Sequence, residues 1–403
     1  MSFRNYSLNR SAVSALLLLA ACGDFKVAPD AFKPTKDQND PFSYSRVAQA
    51  DPESADFKEE ALDIYSVKIE FPLRLNQNIR IQRIDKSTDE ATTIEQPEII
   101  EEEATASFTD TINLKGAKKS VRDIEYIVYS GETEISRKRL SIKPTLYVSG
   151  TRTIDKLGLD AGEYDFERIY FAEGARLVTN GKSITLNVEK LVANSGIIET
   201  FTADEAAKAA PIETRGRSGG AIKISAQEAT GRLSVVLRGT KGGQGDRGVD
   251  ATAEGPKGPD SVNATFVNLI FPSNRVCIQD GTPAGRGGEG PKGGTSRPGS
   301  PGGSTGYLDL RVAKPADPEH AISVNVERLP GQGGDPGEGG KGGPGGPGGN
   351  AVGTNCAHQP YPAGERGPEG PRGDLGPTGA VGSVDKSCVV VAPATFCQGL
   401  ETN

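Results

Sequence analysis

The chain has 403 residues, among them 52 glycines, 27 prolines and two histidines, with one methionine and no tryptophan. A formal net charge of −7 argues against nucleic-acid binding, which normally shows as a basic patch or stripe, so no nucleic-acid partner is expected. Two histidines, with no Ser-centred elbow, no GxxxxGK[ST] loop and no HExxH helix, leave little catalytic machinery, so a protein that is not an enzyme and needs no cofactor is expected.

At the N-terminus, Arg4 and Arg10 precede an apolar run from Ala12 to Ala21. This is the layout of a secretory signal peptide over 1–21, too short to span a bilayer as a helix. Its end, Leu19-Ala20-Ala21-Cys22, resembles the lipobox of bacterial lipoproteins. The resemblance implies cleavage before Cys22, lipidation of Cys22 and a membrane as partner through that lipid. Gly23 rather than Asp follows the cysteine, which in the resembled family implies an outer-membrane lipid anchor, facing the periplasm or the cell surface.

Residues 22–63 are polar and punctuated by Pro29, Pro34, Pro41 and Pro52, the composition of a flexible tether. Over 64–145 the alternation changes to a two-residue period. In "YSVKIEFPLRL", Val67, Ile69, Phe71, Leu73 and Leu75 alternate with polar residues and Pro72, predicting a half-buried strand. Similar runs follow at spacings typical of a small β-sandwich of immunoglobulin-like size. The acidic run Glu101-Glu102-Glu103 reads as a solvated loop. Residues 146–238 set short apolar alternations between Asn180-Gly181 and Ser195-Gly196 turns, which fits either a β-solenoid or a second β-sandwich. The pattern resembles the coils of haemagglutinin-type secreted adhesins.

Between Gly239 and Gly382 lie 38 of the glycines, in four segments at 239–258, 281–306, 331–349 and 364–382. Strand-like sequence separates them, so over 239–385 the glycine segments read as excursions from a β-core. A collagen triple helix needs glycine at every third position. Segment one loses that frame at Ala251 and Glu254, and segment two at Ala284 and Ser296; segment three has a second glycine in most triplets. Only segment four, "GERGPEGPRGDLGPTGAVG", keeps one glycine per triplet throughout.

Extended helices with three residues per turn have no internal hydrogen bonds, so their backbones need outside partners. Glycine ridges let neighbouring helices approach until N–H and C=O bond between them. In outline the segments resemble the polyglycine-II tip domains of certain phage tail adhesins. The fold class expected is therefore mainly β, a sandwich followed by a solenoid or second sandwich, whose glycine-rich excursions pack as a polyglycine-II-like bundle, with disordered linkers and a collagen helix as the alternatives for those excursions. Segment four, needing one glycine ridge, is expected outermost.

Four cysteines follow Cys22, in a compartment that permits disulfides. The nine-residue spacing of Cys388 and Cys397 suits a small loop closing the tail 386–403, and leaves Cys277 with Cys356; the other connectivities stay open. No C-x-x-C pair exists and His358 stands alone near Cys356, so no metal site is expected. Adhesion or recognition of a glycan or another cell-surface component is the expected function. Its candidate ligand-binding residues are Asp335, Glu338, Lys341, Arg366 and Arg372. A structural spacer or a trimeric collagen-like stalk without a ligand is the alternative. A monomer is the favoured state and a homotrimer its rival. Arg372-Gly373-Asp374 spells an integrin-binding tripeptide, which charged Gly-X-Y sequence also produces by chance.

Overall fold

The computed structural model describes residues 41–47, 64–72, 79–88, 90–94, 100–102, 105–113, 121–268, 275–314, 321–392 and 394–398, with positions 52, 58, 59 and 62. The signal peptide, Cys22, Glu103 and most of the tether lie outside them. The chain is mainly β and divides into two compact units.

In the first unit the strands are β1 (Ser43–Arg46), β2 (Ile64–Pro72), β3 (Ile79–Asp85), β4 (Glu90–Ile94), β5 (Ile100–Glu102), β6 (Thr105–Asn113), β7 (Arg122–Ser130) and β8 (Thr133–Ile142). They form two four-stranded sheets, ordered β1-β2-β6-β5 and β4-β3-β7-β8. The two-residue period buries one face of the longer strands, with Val67, Ile69 and Phe71 from β2, Ile81 from β3 and Ile124, Tyr126 and Val128 from β7. A buried carboxylate ties the sheets together. Asp110 on β6 accepts from Arg83 Nη1 at 2.8 and 2.9 Å and from the Tyr126 hydroxyl at 2.6 Å. Two expectations change here. Ser43–Arg46, read as tether, pairs antiparallel with β2, and Glu101 and Glu102, read as a loop, belong to β5.

The second unit is built on a parallel sheet. Its strands are β9 (Thr145–Val148), β10 (Thr151–Thr153), β11 (Gly162–Phe171), β12 (Arg176–Val178), β13 (Ile184–Glu199) and β14 (Ile222–Arg238). After the hairpin β15 (Thr265–Asn268) and β16 (Arg275–Gln279) come β17 (Leu308–Val312), β18 (Ser323–Leu329), β19 (Ser387–Val391) and β20 (Ala394–Gln398). The pairs β9–β11, β11–β13, β13–β14, β14–β17 and β17–β19 are all parallel. That register stacks like on like: Tyr164, Leu186, Ile224, Leu310 and Val389 form one column, and Phe166, Val188, Ala226, Val312 and Val391 the next. The antiparallel second sandwich left open by the sequence does not form. Halfway along β13 and β14 the register shifts between Ala193 and Gly196, and Gly231 takes φ +89 against Ala193. A side chain at Gly231 would meet the Ala193 oxygen at 2.2 Å, so this bend requires glycine.

The glycine segments leave and rejoin this sheet at strand ends. Segment one follows β14, segment two leads into β17, segment three follows β18 and segment four leads into β19.

Candidate functional site

Segments one and three run in one direction, and two and four return. Gly242, Gly245, Gly248 and Ala251 of segment one donate to Gln332, Asp335, Glu338 and Lys341 of segment three, a parallel ladder stepping three residues on both sides. Gly331, Gly334, Gly337, Gly340, Gly343, Gly346 and Gly349 of segment three donate to segment two in antiparallel order, from Gly303 back to Gly285. Segment two donates in turn to segment four, from Gly287 to Glu365 through Gly302 to Ala380. Gly364, Gly367, Gly370 and Gly373 of segment four donate back to segment three. The helices bond within one chain and alternate in direction, unlike the all-parallel strands of a collagen triple helix.

Proline follows the same logic. It lacks an N–H, so it fits ridges that only accept: the carbonyls of Pro344, Pro347, Pro368 and Pro371 all receive glycine N–H groups. The one informative exception is Pro291, on the ridge of segment two that donates to segment one. The acceptors either side of it, Val249 and Pro256, stand seven residues apart instead of six, so the extra residue in segment one falls where no donor exists. The frame break at Ser296 also has a role, because its hydroxyl accepts from the Gly376 N–H at 2.8 Å.

Burial sorts the segments. Segment three hides two glycine ridges and exposes the third, whereas segment four exposes two ridges and turns its glycines inward, as an outermost helix must. A fifth piece escaped the sequence reading. Residues 211–220 bond to segments one and two through Glu213, Gly216 and Gly219, and the missed signal was the three-residue spacing of Gly216 and Gly219.

One face of the bundle gathers side-chain ridges from three segments. From segment one, Lys241 Nζ reaches Asp335 Oδ2 at 2.8 Å, Gln244 Nε2 donates to the Pro336 carbonyl at 3.3 Å, and Asp250 Oδ1 accepts from the Lys341 N–H at 2.6 Å. From segment four, Arg366 donates to the Gly345 carbonyl at 2.9 Å and to Glu254 at 2.6 Å. The ridges carrying Lys241/Gln244/Arg247/Asp250, Gln332/Asp335/Glu338/Lys341 and Arg366/Glu369/Arg372 therefore share this face. The structure brings all five sequence-predicted ligand residues onto it. Asp335 and Arg366 are held by neighbours, while Glu338, Lys341 and Arg372 are exposed and have no side-chain partner among the described residues. Antiparallel pairing of Gly373 with Gly340 places Arg372 and Lys341 at one level. Sequence reasoning missed segment one's contribution, although Lys241, Gln244, Arg247 and Asp250 are spaced by three. Arg372 and Asp374 stand on different ridges, and Asp374 pairs with Lys292 at 2.5 Å.

At the distal end, Cys277 on β16 is disulfide-bonded to Cys356, joining the hairpin to the loop between segments three and four. Phe266 stacks on His358 at 4.4 Å, and the Tyr361 hydroxyl donates to Asp280 and the Gly281 carbonyl. In the C-terminal hairpin Cys388 is disulfide-bonded and lies opposite Cys397 in register; the Cys397 side chain lies outside the described residues. No group of three or more metal-ligating side chains occurs among the described residues, and no described helix is long and apolar enough to cross a membrane.

Asp260 holds the start of the distal loop. Its carboxylate accepts from the Asn350 N–H at 2.6 Å and pairs with Lys257, and these two interactions, the backbone bond first, lower its pKa below the ordinary aspartate range. A lowered carboxylate pKa adds stability above the ordinary value and loses it as pH falls through the lowered one. Acidification through that window is expected to speed hydrogen exchange at Asn350, and Asp260→Asn to abolish the pH dependence. Exchange at Asn350 that is insensitive to pH in the wild type, beyond the intrinsic chemical rate, contradicts this.

No family model matches the chain, and neither a curated protein nor a solved structure does.

Proposed function

We propose that the protein belongs to the class of tethered, non-enzymatic recognition proteins: a rigid glycine-helix bundle presented on a β-core. More particularly, it is a lipoprotein anchored through Cys22 in the outer membrane, acting in adhesion by recognising a glycan or another envelope component. The observation that carries this reading is the bundle face, where two of the three periodic ridges present Glu338, Lys341 and Arg372 without side-chain partners among the described residues. The hydrogen-bonded backbone beneath these residues is already ordered, so binding has only their side chains left to immobilise. At about 3.1 Å per residue, segment three extends roughly 55 Å, so the face repeats its side chains at about 9 Å intervals, suited to a polymeric ligand.

The test is binding of the full chain to glycan panels and envelope preparations. Lys341→Ala with Arg372→Ala is expected to weaken binding about a hundredfold or more, since each charge-assisted bond contributes about 1.5–3 kcal/mol. Absence of binding by the wild type to every preparation ends this reading. Labelling with a radioactive fatty acid, lost in Cys22→Ala, tests the anchor. The alternative, a spacer without a ligand, draws on the continuous backbone ladders; it predicts that shortening all four segments together changes envelope spacing while binding stays absent.

A further inference from the structure

We infer that Lys341 and Arg372 together form a clasp for a single oxyanion, a carboxylate or phosphate carried on an otherwise neutral glycan. Such a clasp presupposes the recognition reading above and names the chemistry that the bundle face selects. Every other lysine and arginine of the four glycine segments is bonded. Lys241 pairs with Asp335, Arg247 with Asp250, Lys257 with Asp260, Lys292 with Asp374, Arg297 with Glu213 and Arg366 with Glu254, while Arg286 donates to the Arg366 carbonyl. Lys341 and Arg372 are exposed and have no side-chain partner among the described residues.

The backbone brings these two cations together. Gly370 donates to Gly343 and Gly373 to Gly340, so segments three and four run antiparallel in steps of three residues. Arg372 therefore stands beside Lys341, with Leu375 beside Glu338 one step to one side and Glu369 beside Pro344 one step to the other. Arg366, on the same ridge as Arg372, shows where that ridge points: it crosses segment three, donating to the Gly345 carbonyl and to Glu254 of segment one. Two like charges at one level repel, and an anion bound between them replaces that repulsion with two attractions.

The chain's own carboxylates do not fill the clasp. In the bonded three-residue pairs Arg247–Asp250 and Lys257–Asp260 the cation precedes the acid. In Glu338–Lys341 and Glu369–Arg372 the order is reversed, and neither pair is bonded among the described residues. Glu338 and Glu369 instead stand one turn, about 9 Å, from the clasp on opposite sides. They leave room for one anion and oppose a second, which disfavours a polymer with an acid on every sugar and equally the dense phosphates of a lipid surface. A guanidinium fork beside a rotatable ammonium suits the oxygens of one carboxylate or phosphate. Pro344 and the exposed Leu375 flank it with apolar surface, which suits the C–H face of a sugar ring.

The clasp is tested by titrating the full chain, in neutral detergent, with four probes: an oligoglucose bearing one terminal glucuronate, the same chain bearing one terminal phosphate, the same chain unmodified, and polygalacturonate. Both single-acid probes are expected to bind about tenfold or more tighter than the neutral chain, and Lys341→Gln or Arg372→Gln to remove most of that preference. The ratio between the two single-acid probes tells carboxylate from phosphate. Glu338→Gln with Glu369→Gln is expected to tighten polygalacturonate more than the single-acid probes. All four side chains are exposed, so the variants are expected to keep wild-type protease resistance. Binding to none of the four probes, equal binding of acidic and neutral chains, a preference unchanged in both cation variants, equal tightening of all acidic probes in the carboxylate variant, or tighter binding to phosphatidylglycerol vesicles than to either single-acid probe overturns the clasp. The wider recognition reading falls separately, only if no envelope preparation binds the wild type.

Discussion

Gly342→Ala is expected to destabilise the bundle by about 3 kcal/mol and to open residues 239–385 to protease. A Cβ at this position would stand 1.8 Å from the Gly370 oxygen and 2.2 Å from its carbonyl carbon. Overpacking a core costs about 1–3 kcal/mol when side chains can adjust. Here the obstacle is backbone, and moving it also breaks the bond from Gly370 to Gly343 and strains the rungs on either side. The gain from a stiffer unfolded chain, about 0.4–1 kcal/mol, is too small to offset this. Glu338→Ala, on the exposed ridge of the same segment, is the control and is expected to change stability by no more than about 0.5 kcal/mol. Thermal unfolding and timed proteolysis compare the two. Wild-type behaviour of Gly342→Ala means the helices are not in backbone contact.

Removing the distal disulfide, with Cys277→Ser and Cys356→Ser together, is expected to cost about 2–5 kcal/mol and to act from the tip downward. The bond closes a loop across a sequence separation of 79, for which the chain-entropy argument gives about 4.5 kcal/mol. It also holds a two-stranded hairpin, β15–β16, that is marginal by itself. Hydrogen exchange should quicken first at Ser261, Gly349 and Asn350 near the tip. Thr240, Gly303 and Gly331, at the base beside the parallel sheet, should keep their protection. Equal acceleration at both ends shows that the disulfide does not organise the tip.

Much of the bundle was legible because its period is arithmetic. Glycine every third residue states which ridge must be small, and the same count put Asp335, Glu338 and Lys341 on a common outward ridge. Partner identity is not arithmetic. That Asp335 is held by Lys241, Arg366 by Glu254, and Asp374 by Lys292 depends on which segments lie side by side, and those contacts span chain separations of 82 to 112 residues. Residues 211–220 were missed since two glycines make too short a period to recognise.

In the β regions, alternation identified strands β2, β3, β6 and β7, whose buried faces repeat every second residue. It overlooked β1 and β5, short edge strands whose polar sequence has little apolar alternation to read. By itself, then, the sequence determined the period of each segment, the ridge each side chain occupies and the face each long strand buries, because these follow from local backbone geometry. The parallel stacking, the alternating direction of four glycine helices within one chain and the meeting of Cys277 with Cys356 were settled only in three dimensions. Those outcomes depend on which distant backbones satisfy one another's hydrogen bonds, and a local pattern carries no record of that choice.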